Sequence, residues 1–484
     1  MTLAQQDASA ASSTHRDDTP QQASSTLPVI NPATEEQIGT IPANTTTDVA
    51  AAVERAREGG REWASYSWRR RCDLLLDLGR RLADVADDLA LTDTIDSGNP
   101  ISGMRHDAAR AGEELRYFSG LGGEAKGDTI PWTASQFGVT MREPYGVVGR
   151  ITAYNHPLLY AVGKSAAPLV AGNAVILKPS EHTSLSTIRF VDLAAGLLPE
   201  GVLSVVTGTG AEAGNALVEH PGVPRIAFTG GVPTGRAVLR AAAEHIKHVS
   251  LELGGKNPMV VFPDVDLPAA AAAAVSGMNL RRSTGQSCQS TSRMLVHTSI
   301  AQEFTDRLVT LVDALRIGDP QGDDVEVGPL SFNEHYQRVL DYVEVGKSEG
   351  ATLVTGGKRP VGLDRGYYLT PAVFTDVDPR MRIAQEEIFG PIISVLTWTD
   401  VDQMVELANG VGYGLTANVW TRSLTSAFQA TQRLDAGMVW VNGEATRPAG
   451  VPFGGFKHSG IGQEGSLGEL LGYTREKSVI INLV

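Results

Sequence analysis

Residues 146–179, GVVGRITAYNHPLLYAVGKSAAPLVAGNAVILKP, decide the class of fold. Two β-rich runs, 146–154 and 174–179, enclose a stretch of helical length. A strand, a helix and a second strand in succession predict parallel strands in one sheet, with the helix packed on its face.

The same alternation continues on the C-terminal side of this unit. Strand-like runs follow at 202–208, 225–230 and 248–253, and helical stretches separate them. A second alternation begins at 258–262 and extends over most of the remaining chain, whereas residues 46–119 have the pattern of successive amphipathic helices. The chain is therefore predicted to be α/β, with two domains built on separate sheets.

The composition of the 484 residues excludes several classes of protein. Hydrophobic residues make up 42% and charged residues 20%, which is typical of a globular protein with sizeable cores. A net charge of −14 argues against nucleic acid or an acidic membrane as a partner, because phosphate contacts need clustered cations. The chain has no apolar run of the length that spans a bilayer.

Two cysteines, Cys72 and Cys288, are too few for a disulfide framework, so we expect a reducing, cytoplasmic location. Residues 1–27 are rich in Ser, Thr, Gln, Ala and Asp and lack the apolar core of a signal peptide. Such a composition predicts a disordered tail. No metal site is predicted.

The two cysteines differ in their sequence surroundings. Cys288 follows Ser-Thr-Gly-Gln-Ser, where Gly285 suits a sharp turn and small polar neighbours leave the sulfur approachable. A nucleophilic role would require its thiolate. A lone cysteine is more often an inert core residue, and Cys72, beside a run of three leucines, fits that alternative.

Two polar residues stand at the ends of predicted strands. Glu252 precedes a double-glycine turn, where burial would raise its pKa toward the range of a general base. The alternative is an exposed residue of an alternating strand. Asn155 also ends a strand, where its amide N–H could stabilise an oxyanion, or it could simply form a turn.

Two glycine-rich turns, 208–214 and 229–235, would let a helix N-terminus approach a pyrophosphate. Neither has the strict spacing of a dinucleotide-binding motif, so ordinary turns are an equal alternative. Lys178 and Glu181 end another strand of the same sheet, where they could hold ribose hydroxyls or lie in a solvated turn.

Together these segments occur in one fixed order. The segments are NHP at 155–157, KPSE at 178–181, FTGG at 228–231, LELGGKNP at 251–258, GQSC at 285–288, EEIFGP at 386–391 and PFGGFKHSG at 452–460. In order and spacing they resemble the NAD(P)-dependent aldehyde dehydrogenase superfamily, of the hydrolytic, non-acylating type. The resemblance covers about residues 28 to 484.

The resemblance implies catalytic roles and a cofactor, NAD, with NADP as a possible second cofactor. It makes Cys288 the nucleophile, Glu252 the general base and Asn155 an oxyanion donor. The residues that it assigns to the cofactor are Thr152, Lys178, Glu181, Gly230, Gly231, Leu253, Glu387 and Phe389. Gly231 departs from the serine common in the family, so a hydroxyl contact to phosphate would be lost.

The resemblance also implies a three-part aldehyde dehydrogenase fold. A Rossmann-like NAD-binding domain would comprise 28–124 and 145–254, and an α/β catalytic domain 255–460. Residues 125–144 and 461–484 would form a small β oligomerisation element, which implies a homodimer or homotetramer. The alternating C-terminal strand, TREKSVIINLV, supports this because an exposed edge strand should be paired.

The substrate is expected to be an aldehyde, oxidised to its carboxylic acid through a thioester on Cys288. By motif spacing, Arg110 and Arg447 fall near the implied aldehyde tunnel, and Gly163 would widen it. Two arginines there could grip a carboxylate, which favours an acid-bearing or aromatic (semi)aldehyde. The alternatives are surface arginines paired with Glu113 or Glu444, an NADP-preferring enzyme, and a catalytically silent structural or binding member of the family.

Overall fold

A computed structural model of the chain describes residues 25–443 and 446–483. Residues 1–24 of the predicted tail lie outside the described residues. The tail prediction is wrong at its C-terminal end, because a strand already begins at Thr26. Thr26 pairs with Pro42 and Leu27 with Ile41, and these backbone hydrogen bonds hold the segment in an antiparallel ribbon.

Twenty strands are present in the described residues. In chain order they are β1 Thr26–Asn31, β2 Glu36–Pro42, β3 Thr129–Thr133, β4 Gln136–Pro144, β5 Val147–Ile151, β6 Ala174–Lys178, β7 Leu203–Val205, β8 Arg225–Thr229, β9 His248–Glu252, β10 Pro258–Val261, β11 Arg293–His297, β12 Thr352–Thr355, β13 Ala372–Thr375, β14 Ile392–Trp398, β15 Tyr413–Gly414, β16 Thr416–Trp420, β17 Met438–Val441, β18 Phe456–Lys457, β19 Gly460–Ile461 and β20 Thr474–Asn482.

Sixteen α-helices separate or flank these strands in the same described residues. They are α1 Thr46–Ser65, α2 Trp68–Asp84, α3 Ala86–Ser97, α4 Ile101–Gly120, α5 Pro157–Val170, α6 Leu185–Ala194, α7 Asn215–Glu219, α8 Val232–Ala243, α9 Leu267–Gly277, α10 Leu280–Ser283, α11 Ala301–Asp313, α12 Asn333–Ser348, α13 Arg382–Gln385, α14 Val401–Asn409, α15 Leu424–Arg433 and α16 Leu467–Gly472.

The first sheet has six strands in the order β19-β9-β8-β5-β6-β7. Strands β5 to β9 are parallel, as the alternation predicted, and β19 adds an antiparallel edge. Val148 and Val175 belong to the core on one face, and Val147 and Ile176 to the core on the other. Both faces are therefore covered by helices, which is why these strands are apolar throughout.

The second sheet has seven strands in the order β12-β13-β14-β11-β10-β16-β17, and all neighbours are parallel except β12 and β13. It forms the second α/β unit that the alternation from residue 258 predicted. The alanine-rich α9 packs on it with six of its eleven residues buried.

A third sheet contains β20, β4 and β3, all antiparallel. The C-terminal strand β20 is paired with β4 from Thr474 to Asn482, so the predicted edge strand has a partner. The predicted element 461–484 is shorter in the structure. Ile461 pairs through its backbone with Leu251 of the first sheet, and the side chain of Leu470 of α16 is buried in the first core, so both residues belong to the first domain.

Within residues 25–443 and 446–483, no helix combines the length and the apolar character that crossing a bilayer requires. The same part of the chain holds no group of three or more histidine, cysteine or carboxylate side chains placed to bind a metal ion.

Candidate active site

Four polar side chains lie at the carboxyl ends of adjacent parallel strands of the first sheet. Lys178 ends β6, Thr229 ends β8, Glu252 ends β9, and Asn155 follows β5 by four residues. In open α/β sheets this edge is where ligands bind, since the loops after the strands diverge there. Because the strands are parallel and adjacent, these four residues lie close together at one edge of the sheet.

The loop that carries Cys288 has a conformation fixed by its neighbours. Thr284 has φ 53° and Gly285 has φ 76°, both in the left-handed region. A Cβ on Gly285 would lie 2.9 Å from the backbone of Gly390, so the close approach requires glycine. The amide of Asn257 donates to the carbonyl of Cys288 at 2.7 Å and holds the loop to the start of β10.

Glu252 is buried, with 6% of its surface exposed. Neither carboxyl oxygen has a hydrogen-bond partner among the described residues. Burial, and after it the charge of Glu464, raises the pKa of Glu252 well above its ordinary value. The raised pKa agrees with the expectation from sequence, and the exposed-strand alternative is wrong at this position.

Asn155 lies against the cysteine loop. Its Nδ2 donates to the carbonyl of Gln286 at 2.9 Å, and Asn99 donates to the carbonyl of Asn155 at 2.9 Å. The first of these bonds fixes the side-chain amide of Asn155 against Gln286, which precedes Cys288 by two positions in the sequence. Its role as an oxyanion donor stays a prediction.

A first cavity of about 320 Å³ opens along the ends of these strands. It is lined by all eight residues predicted to hold the cofactor, namely Thr152, Lys178, Glu181, Gly230, Gly231, Leu253, Glu387 and Phe389. A second cavity, of about 310 Å³, lies on the other side of the cysteine loop. Cys288, Glu252, Thr229 and Tyr160 line both cavities, so the predicted nucleophile and base stand where the two meet.

In the first cavity, Lys178 and Glu181 form an ion pair at 3.2 Å. Burial lowers the pKa of Lys178. Burial alone would raise the pKa of Glu181, but the charge of Lys178 outweighs it, and the pKa of Glu181 is lowered. The two side chains therefore stabilise each other's charge and offer a hydrogen-bond donor and an acceptor to the cavity.

The turn at Gly230 brings backbone close to the cavity. A Cβ on Gly230 would lie 2.5 Å from the Phe228 ring, so the turn excludes a side chain. Gly231 is the N-cap of α8 and makes no side-chain capping bond, which leaves only backbone N–H groups at this helix N-terminus.

Glu387 reaches the same cavity from the second domain. Its Oε1 accepts from the backbone N–H of Gly255 at 2.9 Å, and Arg338 donates to its carbonyl at 2.7 Å. Burial raises the pKa of Glu387 to about 7. Phe389 has φ 63°, and its carbonyl lies 2.8 Å from Nε2 of His335, which holds the strained turn.

Burial, together with the nearby carboxyls of Glu387 and Glu252, raises the pKa of the Cys288 thiol to about 12. Lys164 acts in the opposite direction. The buried thiol is therefore a weaker acid than an ordinary cysteine, and its attack on an aldehyde requires a group that takes its proton. Cys72 is buried in the first core, in agreement with its leucine-rich surroundings.

Arg110 and Arg447 both line the second cavity, as spacing suggested. Each donates from Nη2 to the same oxygen of Glu114, at 3.1 and 3.3 Å. The expected alternative partners were Glu113 and Glu444, and Glu444 lies outside the described residues. In the structure the partner of both arginines is instead Glu114, a residue of α4 that is 4% exposed.

The sequence reading missed further charged residues of the second cavity. Lys164 pairs with Glu464, and Glu464 also accepts from the buried Arg150 at 2.6 Å. His156 lines the cavity as well. The sequence did contain a signal for this cavity wall. The lining residues at the start of α5 recur at helical spacing, which predicts that they share one face of the helix: His156, Leu159, Tyr160, Gly163 and Lys164.

Comparison with known proteins agrees with this architecture. A model of the aldehyde dehydrogenase family matches residues 19–479. A hydroxyisobutyraldehyde dehydrogenase of Mycolicibacterium austroafricanum is 41% identical over 467 residues, which are 96% of this chain and 92% of that protein.

Two solved structures are similar over nearly the whole chain. An NAD⁺ complex of an aldehyde dehydrogenase from Bacillus cereus is 37% identical with a TM-score of 0.92, covering 95% of this chain and 94% of that one. A betaine aldehyde dehydrogenase from Staphylococcus aureus, also with NAD⁺, is 34% identical with a TM-score of 0.93, covering 95% and 92%.

These similarities define the class as α/β oxidoreductases that act on aldehydes. The chain belongs to the aldehyde dehydrogenase family. The predicted family and fold class are confirmed, and the predicted cofactor agrees with the NAD⁺ complexes of the two relatives.

Proposed function

We propose that this enzyme oxidises an aldehyde to its carboxylic acid with NAD, through a thioester on Cys288. The observation that carries the proposal is the junction of the two cavities at Cys288 and Glu252. One cavity is lined by every residue predicted to hold the cofactor, and the other provides room for an aldehyde.

In the first step the Cys288 thiol gives its proton to the carboxylate of Glu252, which lines the same cavities and passes the proton on to solvent. The sulfur then adds to the aldehyde carbon, which gives a thiohemiacetal oxyanion. Asn155 donates one N–H of its amide to the Gln286 carbonyl, and its other N–H, which is also within reach of the Tyr160 hydroxyl, is the proposed donor to the oxyanion. No hydrogen bond within the described residues engages the backbone N–H of Cys288, so it is free for the same oxygen. One such donor is worth about 2.7–4 kcal/mol.

When bound, NAD would supply the acceptor for the hydride that leaves the thiohemiacetal carbon. We expect Lys178 and Glu181 to hold its adenosine ribose, Glu387 its nicotinamide ribose, and the backbone at Gly230 and Gly231 its pyrophosphate, since all five residues line this cavity. The residues present fit such a group, because the turn at Gly230 exposes backbone N–H groups at a helix N-terminus.

Glu252 then accepts a proton from the water that hydrolyses the thioester. Its carboxyl has no partner among the described residues, and its raised pKa makes the carboxylate a stronger proton acceptor than that of an ordinary glutamate. Glu464 is a poor substitute, since Lys164 and Arg150 outweigh its burial and hold its pKa at about 2.

The alternative of a silent structural or binding member predicts no NADH from any aldehyde. Absorbance of NADH, followed with a panel of aliphatic, aromatic and carboxylate-bearing aldehydes, tests the proposal. Turnover with any of them supports it, and silence with all of them, in folded enzyme, overturns it.

A carboxylate-bearing or aromatic semialdehyde is a second candidate for the substrate class. The observation in its favour is that Arg110 and Arg447 share the single carboxylate of Glu114 in the second cavity. Two cations against one anion leave positive charge for a substrate carboxylate, which must compete with Glu114 for the same N–H groups.

We further propose a homodimer or homotetramer formed through the sheet of β3, β4 and β20. Large apolar side chains are exposed on it, with Trp132 at 64%, Ile480 at 57% and Ile130 at 55%. Light scattering after gel filtration tests the assembly, and a monomer at micromolar concentration would contradict it.

We also propose that the enzyme is cytoplasmic, because both of its cysteines are free thiols, as in a reducing compartment. Fractionation of the producing cells tests this location.

A further inference from the structure

His156 directly follows Asn155 and is 6% exposed. Its side chain lines the second cavity together with Cys288. The proposed reaction assigns it no task, although a buried imidazole beside a reacting centre is a costly placement without a partner.

The ring of His156 is held by a buried carboxylate. Nδ1 lies 2.5 Å from Oδ2 of Asp107, which is fully buried, and the other oxygen of Asp107 accepts from Nε of Arg282 at 2.9 Å. Burial acts to raise the pKa of Asp107, but the charges of Arg282 and His156 outweigh it and hold that pKa well below its ordinary value. Asp107 is therefore a carboxylate that orients the imidazole through Nδ1–H.

The orientation leaves Nε2 as the remaining polar atom of the ring. No residue in the described ranges, 25–443 and 446–483, forms a hydrogen bond with Nε2. Tyr160 packs edge-on against the ring, with centroids 5.6 Å apart, and lines both cavities beside Cys288. His156, Tyr160 and Cys288 thus line the same cavity.

We propose that His156, oriented by Asp107, determines specificity by hydrogen-bonding a hydroxyl group on the carbon chain of the aldehyde. The inference rests on the proposed function and names the substrate class as hydroxylated aldehydes. A hydroxyl group can donate to a bare Nε2 and accept from a protonated one, so it pairs with His156 in either state. An alkyl group in the same place leaves the nitrogen desolvated without a partner.

The test uses aldehydes that differ only by a hydroxyl in place of a methyl. α-Hydroxyisobutyraldehyde is compared with pivaldehyde, and β-hydroxyisobutyraldehyde with α-methylbutyraldehyde. For wild-type enzyme we expect kcat/KM to favour the hydroxylated member of at least one pair by about tenfold or more.

His156→Phe keeps the ring that packs on Tyr160 and removes both nitrogens, so the preference should fall to about twofold or less while the alkyl aldehyde is still oxidised. If the His156→Phe variant does not fold, His156→Leu takes its place and should show the same fall in preference. His156→Gln, whose amide can hydrogen-bond, should restore part of the preference. The matched control is His245→Phe, the same change at an exposed histidine that lines neither cavity, which should keep the full preference.

Asp107→Asn tests the positioning role of the carboxylate. It should lower the preference for the hydroxyl while leaving the alkyl aldehyde active, whereas equal losses with both would show that Asp107 only supports the fold.

The outcomes separate the two proposals. If no aldehyde yields NADH, the proposed function fails. If wild-type enzyme oxidises both members of each pair equally well, or if His156→Phe lowers both equally, the reaction stands and hydroxyl recognition by His156 is wrong.

Discussion

Replacing Glu252 with glutamine should separate acylation of Cys288 from hydrolysis of the thioester. The amide has the shape of the carboxyl but cannot accept the proton of the attacking water. Glu252 has no hydrogen-bond partner among the described residues, so the change breaks no contact that the fold depends on. The variant is expected to bind aldehyde and cofactor, form the thioester, with the Cys288 proton passing to solvent directly, and stop there.

The size of the loss follows from the lack of a substitute base. General base catalysis contributes about 10²–10⁴ in rate. Glu464 is held ionised by Lys164 and Arg150 with a pKa of about 2, and Glu387 is committed to the N–H of Gly255. We therefore expect a loss of about 10³ in kcat, or about 4 kcal/mol in the barrier to hydrolysis.

Rapid-mixing absorbance of NADH is the assay, with intact-mass measurement of the same samples. The variant should give a burst of one NADH per active site followed by slow turnover, with the acyl adduct retained on the protein. Glu303→Gln, the same change at an exposed ion pair of α11, is the matched control and should turn over normally.

The pH dependence provides a second readout of the same group. Because the pKa of Glu252 is raised, its basic form appears only above the ordinary range of a glutamate, so hydrolysis should rise with pH through that raised pKa. Glu252→Gln should remove this rise. Normal turnover of the variant, or a burst-free trace with no adduct, would refute the assignment of Glu252 as the base.

Further predictions concern the nucleophile, the cofactor and the arginines. Cys288→Ala should abolish NADH formation, whereas Cys72→Ala should leave it nearly intact; residual dehydrogenation by purified Cys288→Ala would exclude the sulfur as nucleophile. We expect kcat/KM to be higher with NAD than with NADP, because the Glu181 carboxylate would repel the extra phosphate on the adenosine ribose, and the reverse order would show that Glu181 does not face it. Arg447→Ala should raise KM about tenfold for a carboxylate-bearing aldehyde and little for a neutral one of matched size, and equal changes for both would contradict the carboxylate clamp.

The sequence by itself determined the class of fold and the central residues of the site. Apolar runs of strand length, separated by helices, dictate a parallel sheet covered on both faces, since no other arrangement buries them. In such a sheet the residues after the strands meet at one edge, so the strand pattern predicts that Asn155, Lys178 and Glu252 lie together, while their predicted roles come from the resemblance to the family.

Only the tertiary structure decided which charged groups pair. Glu114 joins Arg110 from its own helix to Arg447, 333 positions away in sequence, and Lys164 meets Glu464 across 300 positions. The partner of His156, Asp107, comes from another helix 49 positions earlier. A local pattern records which face of an element is apolar, but not which distant element packs beside it. The charge pairs of the second cavity depend on that packing, so no one segment of the chain predicts them.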